Sequence, residues 1–214
     1  MSRLLISMAL SLQALLIMTS VAFAQGDPSK GETLFAICAS CHGPTASGMQ
    51  AIGAPRTAGQ NPWYLRRQIA NFKTGIRGAN LKDFYGVQMP PIMDTLRTQQ
   101  DVEDVIAYLG TLEPEILPPT IEGGDATKGK EIYKICAACH GDNGEGIEVL
   151  SAPRLAGIPD WYLLRQINNF EKGIRGTHPE DIFGHQMGII QKLMLKDDQA
   201  VLDVIAYINS LPKE

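Results

Sequence analysis

Residues Ile37-Cys38-Ala39-Ser40-Cys41-His42-Gly43 return almost unchanged as Ile135-Cys136-Ala137-Ala138-Cys139-His140-Gly141. Cys-x-x-Cys-His is the attachment signature of a c-type haem. Two thiols on one short turn reach the two vinyl groups of the porphyrin, and the next residue brings an imidazole beneath the iron. The two runs use all four cysteines of the chain and two of its four histidines. A pair of disulfides would not require a histidine directly after each cysteine pair. A zinc ribbon needs its two Cys-x-x-Cys pairs close together, whereas these lie 98 residues apart. The pattern therefore points to two covalently bound haem c groups, held by Cys38 and Cys41 and by Cys136 and Cys139.

Outward from this pair, the beginning of the chain reads as an export signal. Arg3 supplies a positive start, Leu4 to Met18 is nearly all apolar, and Ala22-Phe23-Ala24 forms a small-x-small cleavage site. The apolar run falls short of the roughly 20 residues of a spanning helix, so residues 1–24 read as a signal peptide and the destination as the periplasm. Residues 1–24 carry one of the 19 basic side chains and none of the acids, which leaves 18 against 23 and a net charge of −5. Such a balance argues against nucleic acid as a partner, since no basic stripe is available.

The remaining 190 residues suffice for two small domains, and an internal repeat divides them. At an offset of 98, Ala54-Pro55-Arg56 meets Ala152-Pro153-Arg154, Trp63-Tyr64-Leu65 meets Trp161-Tyr162-Leu163, and Gly75-Ile76-Arg77-Gly78 meets Gly173-Ile174-Arg175-Gly176. Gln88-Met89 meets Gln186-Met187 in the same register, and only beyond it does the offset become 99. Domains are expected over 25–112 and 125–214, joined by a Pro- and Gly-rich linker over 113–124. Each copy reads as all-α. Asp27-Pro28 opens a helix that is expected to end near Cys38, Asn61-Pro62 opens a second, and Val102, Val105, Ile106 and Leu109 form the stripe of a third. The second copy repeats these near 126–136, 159–171 and 198–210.

His42 and His140 are the expected proximal ligands. A low-spin electron carrier needs a sixth ligand, and the soft thioether of Met favours Fe(II) and raises the potential. Met89 and Met187 each lie 47 residues after their histidine and follow a glutamine, in what reads as a loop before the last helix. Met93 and Met194 lack such a match and read as packing; Met49 reads as packing or surface. Arg56, Arg154, Trp63 and Trp161 are candidates either for hydrogen bonds to haem propionates or for a plain structural role. Arg77 and Arg175 either bind propionates in the same way or, the favoured reading, face solvent; His178 and His185 read as surface histidines, with replacement of Met187 the alternative for His185, two residues before it.

These runs together resemble the class I cytochromes c, and the whole exported chain resembles the two-haem cytochrome c4 family. The resemblance rests on Cys-x-x-Cys-His-Gly, Pro-Arg-x-Ala-Gly, Trp-Tyr-Leu with Arg-Gln-Ile, a later Met, and Ile-Ala-Tyr in the terminal helix. It implies two tandem domains, each a few helices wrapped around one haem. It also implies that the Pro55 and Pro153 carbonyls accept from the proximal imidazoles, and that Gly31, Phe35 and Tyr108 meet at a helix crossing, as Gly129, Tyr133 and Tyr207 do in the second copy. The implied function is single-electron transfer between respiratory partners, without catalysis of its own. A quinol-oxidising complex or a dehydrogenase is the implied donor and a terminal oxidase or reductase the acceptor, with peripheral association at membrane complexes. The alternative is an electron-accepting subunit of a dehydrogenase, such as flavocytochrome c sulfide dehydrogenase. Peroxidase chemistry or gas sensing would need an open iron position, and both copies keep a candidate Met. Pro90-Pro91 becoming Gly188-Ile189 suggests unequal haem environments.

Overall fold

The computed structural model describes residues 25–212, so the expected signal peptide lies outside the described residues. In the first half, Asp27 caps α1 (Pro28–His42) by accepting from the Ser29 and Lys30 N–H groups, with Pro28 at the first helical position. The helix runs on past Cys38 through His42, further than expected, and Gly43 ends it at φ +80°. The Cys-x-x-Cys-His run is thus the last turn of a helix, so both thiols and the imidazole project from one rigid element. Helix α2 (Pro62–Lys73), α3 (Met89–Met93) and α4 (Gln99–Leu109) complete the half. Thr98 and Asp101 form a capping box at the start of α4.

The second half repeats this with α5 (Ala126–His140), α6 (Asp160–Glu171), α7 (Ile182–Met194) and α8 (Asp198–Ser210). No strand forms among the described residues; the only β pairing is two isolated bridges, Met49 with Ala54 and Ile147 with Ala152. The fold is all-α. No helix of the described residues is long and apolar enough to cross a membrane.

In each half the first and last helices cross at a glycine. A Cβ built on Gly31 would stand 1.9 Å from the Asp104 carbonyl oxygen, and one on Gly129 would stand 1.9 Å from that of Asp203. Only a residue without Cβ permits this approach. The expected aromatic partners are there: Phe35 and Tyr108 rings lie 5.5 Å apart, Tyr133 and Tyr207 5.2 Å. A buried carboxylate locks each crossing, since Asp104 accepts from the Asp27 N–H at 2.7 Å and Asp203 from the Asp125 N–H at 2.8 Å. Behind them, Val102, Val105, Ile106 and Leu109 form one core and Val201, Val204, Ile205 and Ile208 the other.

The segment carrying Met89 and Met187 differs from expectation. It is helical, not a loop. Asp83 and Asp181 each cap it by accepting from Gly86 and Gly184 N–H at 3.0 Å. In the second half one continuous helix, α7, then runs to Met194 with Met187 at its middle. In the first half Pro90 and Pro91 have no N–H to return to the preceding turn. The segment breaks into a 3-10 turn over Gly86–Gln88 followed by the short α3, which Met89 opens.

Between the halves, residues 113–124 form no helix but are fastened at both ends. Glu115 N–H donates to the Ser47 hydroxyl at 2.7 Å. The buried Asp160 carboxylate accepts from Thr120 N–H at 2.6 Å, Ile121 N–H at 2.7 Å and the Thr120 hydroxyl at 3.0 Å.

Candidate functional site

The end of α1 delivers Cys38, Cys41 and His42 to one wall of a cavity of about 420 Å³. Met89 and Met93 line the same cavity, with Phe35, Leu65, Ile69 and Leu96 among its apolar residues. The first half therefore brings the candidate attachment cysteines, the candidate proximal histidine and the candidate sixth ligand around one space. The equivalent side chains of the second half sit on α5 and α7.

Each imidazole is oriented by the backbone. His42 Nδ1 lies 2.6 Å from the Pro55 carbonyl oxygen, and His140 Nδ1 lies 2.7 Å from that of Pro153. A carbonyl only accepts, so Nδ1 carries the proton and Nε2 keeps its lone pair for a metal. Burial holds both imidazoles below the usual histidine pKa, against the opposing pull of these bonds, which keeps them neutral at pH 7. Burial likewise pushes the Cys38 and Cys136 thiols up, each to about 11. The thiols stand in an apolar wall, the setting a porphyrin edge requires.

Arg77 and Arg175 do not face solvent, contrary to expectation. They meet where the halves join, in an arrangement that repeats itself about an approximate twofold. Arg77 donates to Gln68 Oε1 at 2.6 Å and crosses to the Tyr162 hydroxyl at 3.0 Å and to Gln166 Oε1 at 3.2 Å. Arg175 donates to Gln166 Oε1 at 2.7 Å and crosses to the Tyr64 hydroxyl at 2.9 Å and to Gln68 Oε1 at 3.1 Å. Farther out, Arg67 reaches the Ser151 carbonyl at 2.8 Å and Arg165 the Gly53 carbonyl at 2.6 Å. Burial alone would raise the Tyr64 phenol; Arg175 and Arg77 override it and hold the phenol below its usual value. Sequence reasoning missed this cluster, and the shared offset of 98 for Tyr, Gln and Arg was its one signal.

The remaining candidates divide. Arg56 is structural: it is buried, donates to Ala58 O and crosses to Gly157 O, both at 2.8 Å. Trp63 and Trp161 stack edge-on against Tyr64 and Tyr162, beneath the Arg67 and Arg165 guanidiniums. His178 and His185 are exposed, and Met93 is buried, as expected.

The residues present fit a haem. The cavity wall is apolar, the thiols share one helical turn with a neutral imidazole, and two guanidiniums of the lining have room for an anion. Nε of Arg77 and of Arg165 is buried without a hydrogen-bond partner, and no salt bridge reaches either among the described residues. Arg77, Arg165 and Tyr64 line the cavity, so a propionate would complete them.

Fold and site together define a tandem pair of c-type haem-attachment domains. The cytochrome c family profile matches residues 28–113 and 126–212, and the chain belongs to that family. It is 30% identical to the cytochrome c4 of Azotobacter vinelandii over 87% of this chain and 91% of that one. It is 33% identical to a thiosulfate dehydrogenase electron acceptor of Stutzerimonas stutzeri, over 80% of this chain and 79% of that one. Among solved structures, reduced cytochrome c4 from Pseudomonas stutzeri superposes with a TM-score of 0.66 at 25% identity, covering 87% of this chain and 100% of that one. Thiosulfate dehydrogenase (TsdBA) from Marichromatium purpuratum gives a TM-score of 0.69 at 30% identity, covering 86% of this chain and 40% of that one. The protein is a cytochrome c4-like electron carrier built from two cytochrome c domains.

Proposed function

We propose that the chain is a periplasmic carrier of single electrons with two haems, each ligated by histidine and methionine. In this reading domains 25–112 and 125–214 each hold one haem through Cys38 and Cys41, and through Cys136 and Cys139. His42 with Met89, and His140 with Met187, would supply the protein ligands of the two irons. When bound, the haem supplies a one-electron couple between Fe(III) and Fe(II). The chain's own residues attach the macrocycle, fix the imidazole through Pro55 and Pro153, and exclude water. One observation carries the reading: Cys38, Cys41, His42 and Met89 line a single apolar cavity.

The test is spectroscopic. The purified exported protein is expected to carry two covalent haems per chain and, when oxidised, a weak far-red thioether-to-iron absorption with the intensity of two Met-ligated centres. Ready binding of carbon monoxide by the ferrous protein at neutral pH would overturn the closed-iron reading.

A second reading is supported by the acceptor relative and the TsdBA structure: the chain serves as the electron-accepting subunit of a dehydrogenase, with thiosulfate as the substrate class to try first. Co-purification with a catalytic subunit, and haem reduction only in its presence, would separate this from a free carrier between a quinol-oxidising complex and a terminal oxidase.

A further inference from the structure

One departure between the two copies of the Pro-Arg-x-Ala-Gly run falls in the cavity of the first half. Thr57 stands where the second copy has Leu155. The two hold the same place in the backbone: the Thr57 N–H donates to the Ala46 carbonyl at 2.9 Å, and the Leu155 N–H to that of Gly144 at 2.7 Å. Both residues are half-buried. Two positions earlier in each run, the Pro55 and Pro153 carbonyls orient His42 and His140. The exchange therefore puts a hydroxyl at a point of the first half where the second half has only hydrocarbon.

No other side chain holds that hydroxyl. Thr57 lines the cavity with Cys38, His42 and Met89, and its Oγ1 is buried without a hydrogen-bond partner among the described residues. Other polar groups of the wall are engaged: Gln60 donates to the Arg154 carbonyl, Tyr64 accepts from Arg175 and Gln68 from Arg77. A buried, unpaired hydroxyl costs stability that a hydrocarbon would not. Leu155 shows the apolar solution, packed against the core of the second half. A hydroxyl hydrogen rotates to suit its surroundings, so an unheld one turns in response to a nearby charge. In an apolar wall that response is only lightly screened.

We propose that the Thr57 hydroxyl stabilises Fe(III) in the first site and so lowers the reduction potential of the first haem. This deepens the reading above and rests on a covalent haem in each half. A ferric centre carries one more positive charge than a ferrous one. With its oxygen turned toward that charge, the hydroxyl dipole favours the oxidised state over the reduced one. Polarity and burial around a haem are among the protein's means of setting its potential. Leu155 has no dipole to turn, so the second haem lacks this contribution. Thr57 is a tuning residue, not a ligand.

The test uses the two-haem protein and the substitutions Thr57→Val, Thr57→Ser and Leu155→Thr. Valine keeps the shape of threonine and removes the hydroxyl; serine keeps the hydroxyl. Midpoints come from spectroelectrochemical titration, haem content from the alkaline pyridine spectrum, and axial ligation from the far-red absorption. Thr57→Val is expected to raise one midpoint only, by about a threefold change in the Fe(II)/Fe(III) ratio at fixed ambient potential, about 30 mV for a one-electron couple. Thr57→Ser is expected to keep both midpoints of the unsubstituted protein, and Leu155→Thr to lower the other midpoint by a similar factor. The far-red absorption is expected to stay the same in all three. An unchanged or lowered midpoint in Thr57→Val would overturn the inference, as would a Leu155→Thr protein with both midpoints unmoved. An equal rise in Thr57→Ser would overturn it too, by tracing the effect to packing, and so would a rise accompanied by altered far-red absorption, by tracing it to the ligands. Fewer than two covalent haems in the unsubstituted protein would remove the reading above and this inference together.

Discussion

At the scale of single residues, the tightest constraint is the missing side chain at the helix crossings. A methyl on Gly31 would meet the Asp104 carbonyl at 1.9 Å and Tyr108 Cβ at 2.7 Å, so α1 and α4 would have to separate. Gly31→Ala is expected to cost about 3 kcal/mol and to lower the thermal midpoint by roughly 10 °C or more. Gly75 makes the control. It sits at φ +76° with nothing near its would-be Cβ, and Gly75→Ala is expected to cost only about 1 kcal/mol. Differential scanning calorimetry of the two variants checks the contrast. Gly31 was legible only through the family resemblance, which implies that it meets Phe35 and Tyr108 at a helix crossing. Arg77 was not. It lies between glycines in a stretch that reads as surface loop, and its partners Tyr162 and Gln166 come from the other half. A buried arginine whose partners lie so far along the chain leaves no local pattern.

At the scale of elements, the helices with regular caps and apolar stripes were readable, and those without were not. Asp27-Pro28 and the Val102 to Leu109 stripe announced α1 and α4. The α7 segment was disguised by Gly184, Gly188 and, in the other copy, by Pro90-Pro91. Its signal was the aspartate three residues before a glycine, at Asp83 and Asp181. The connecting strap over 113–124 was legible as a linker without regular structure, but its fastening by Asp160 was not. Burial would raise the Asp160 carboxyl, but the Ile121 and Thr120 donors hold it below the usual value. A depressed folded value means the clamp is fully formed above the ordinary aspartate range, about 3.9, and fails as pH falls through the lower folded value. Asp160→Asn removes the charge and is expected to loosen the strap by about 2 kcal/mol at neutral pH and to abolish that acid dependence. Hydrogen exchange at the Thr120 and Ile121 amides, followed from pH 7 downward by quench, measures both.

At the scale of the whole molecule, two halves with separate cores are held by polar groups at their meeting face. Arg77 and Tyr162 belong to different halves, so a double-mutant cycle built from Arg77→Met and Tyr162→Phe reads the docking directly. A coupling of roughly 1–2 kcal/mol is expected, with the mirror cycle of Arg175 and Tyr64 giving a similar value. A coupling near zero in both would mean that the halves do not dock in this way. The sequence told of the duplication but not of its geometry, because a repeat offset says that two units are alike and nothing about how they face each other. Gln68 Oε1 accepts from both arginines, and Gln166 Oε1 does the same. Each unit therefore gives what it takes, as two copies of one ancestor would across a dyad. Joined by a short tether, such a pair meets at an effective concentration in the millimolar range. The chain behaves as a homodimer written into one polypeptide, and its seam could diverge toward polarity because it never had to find its mate by diffusion.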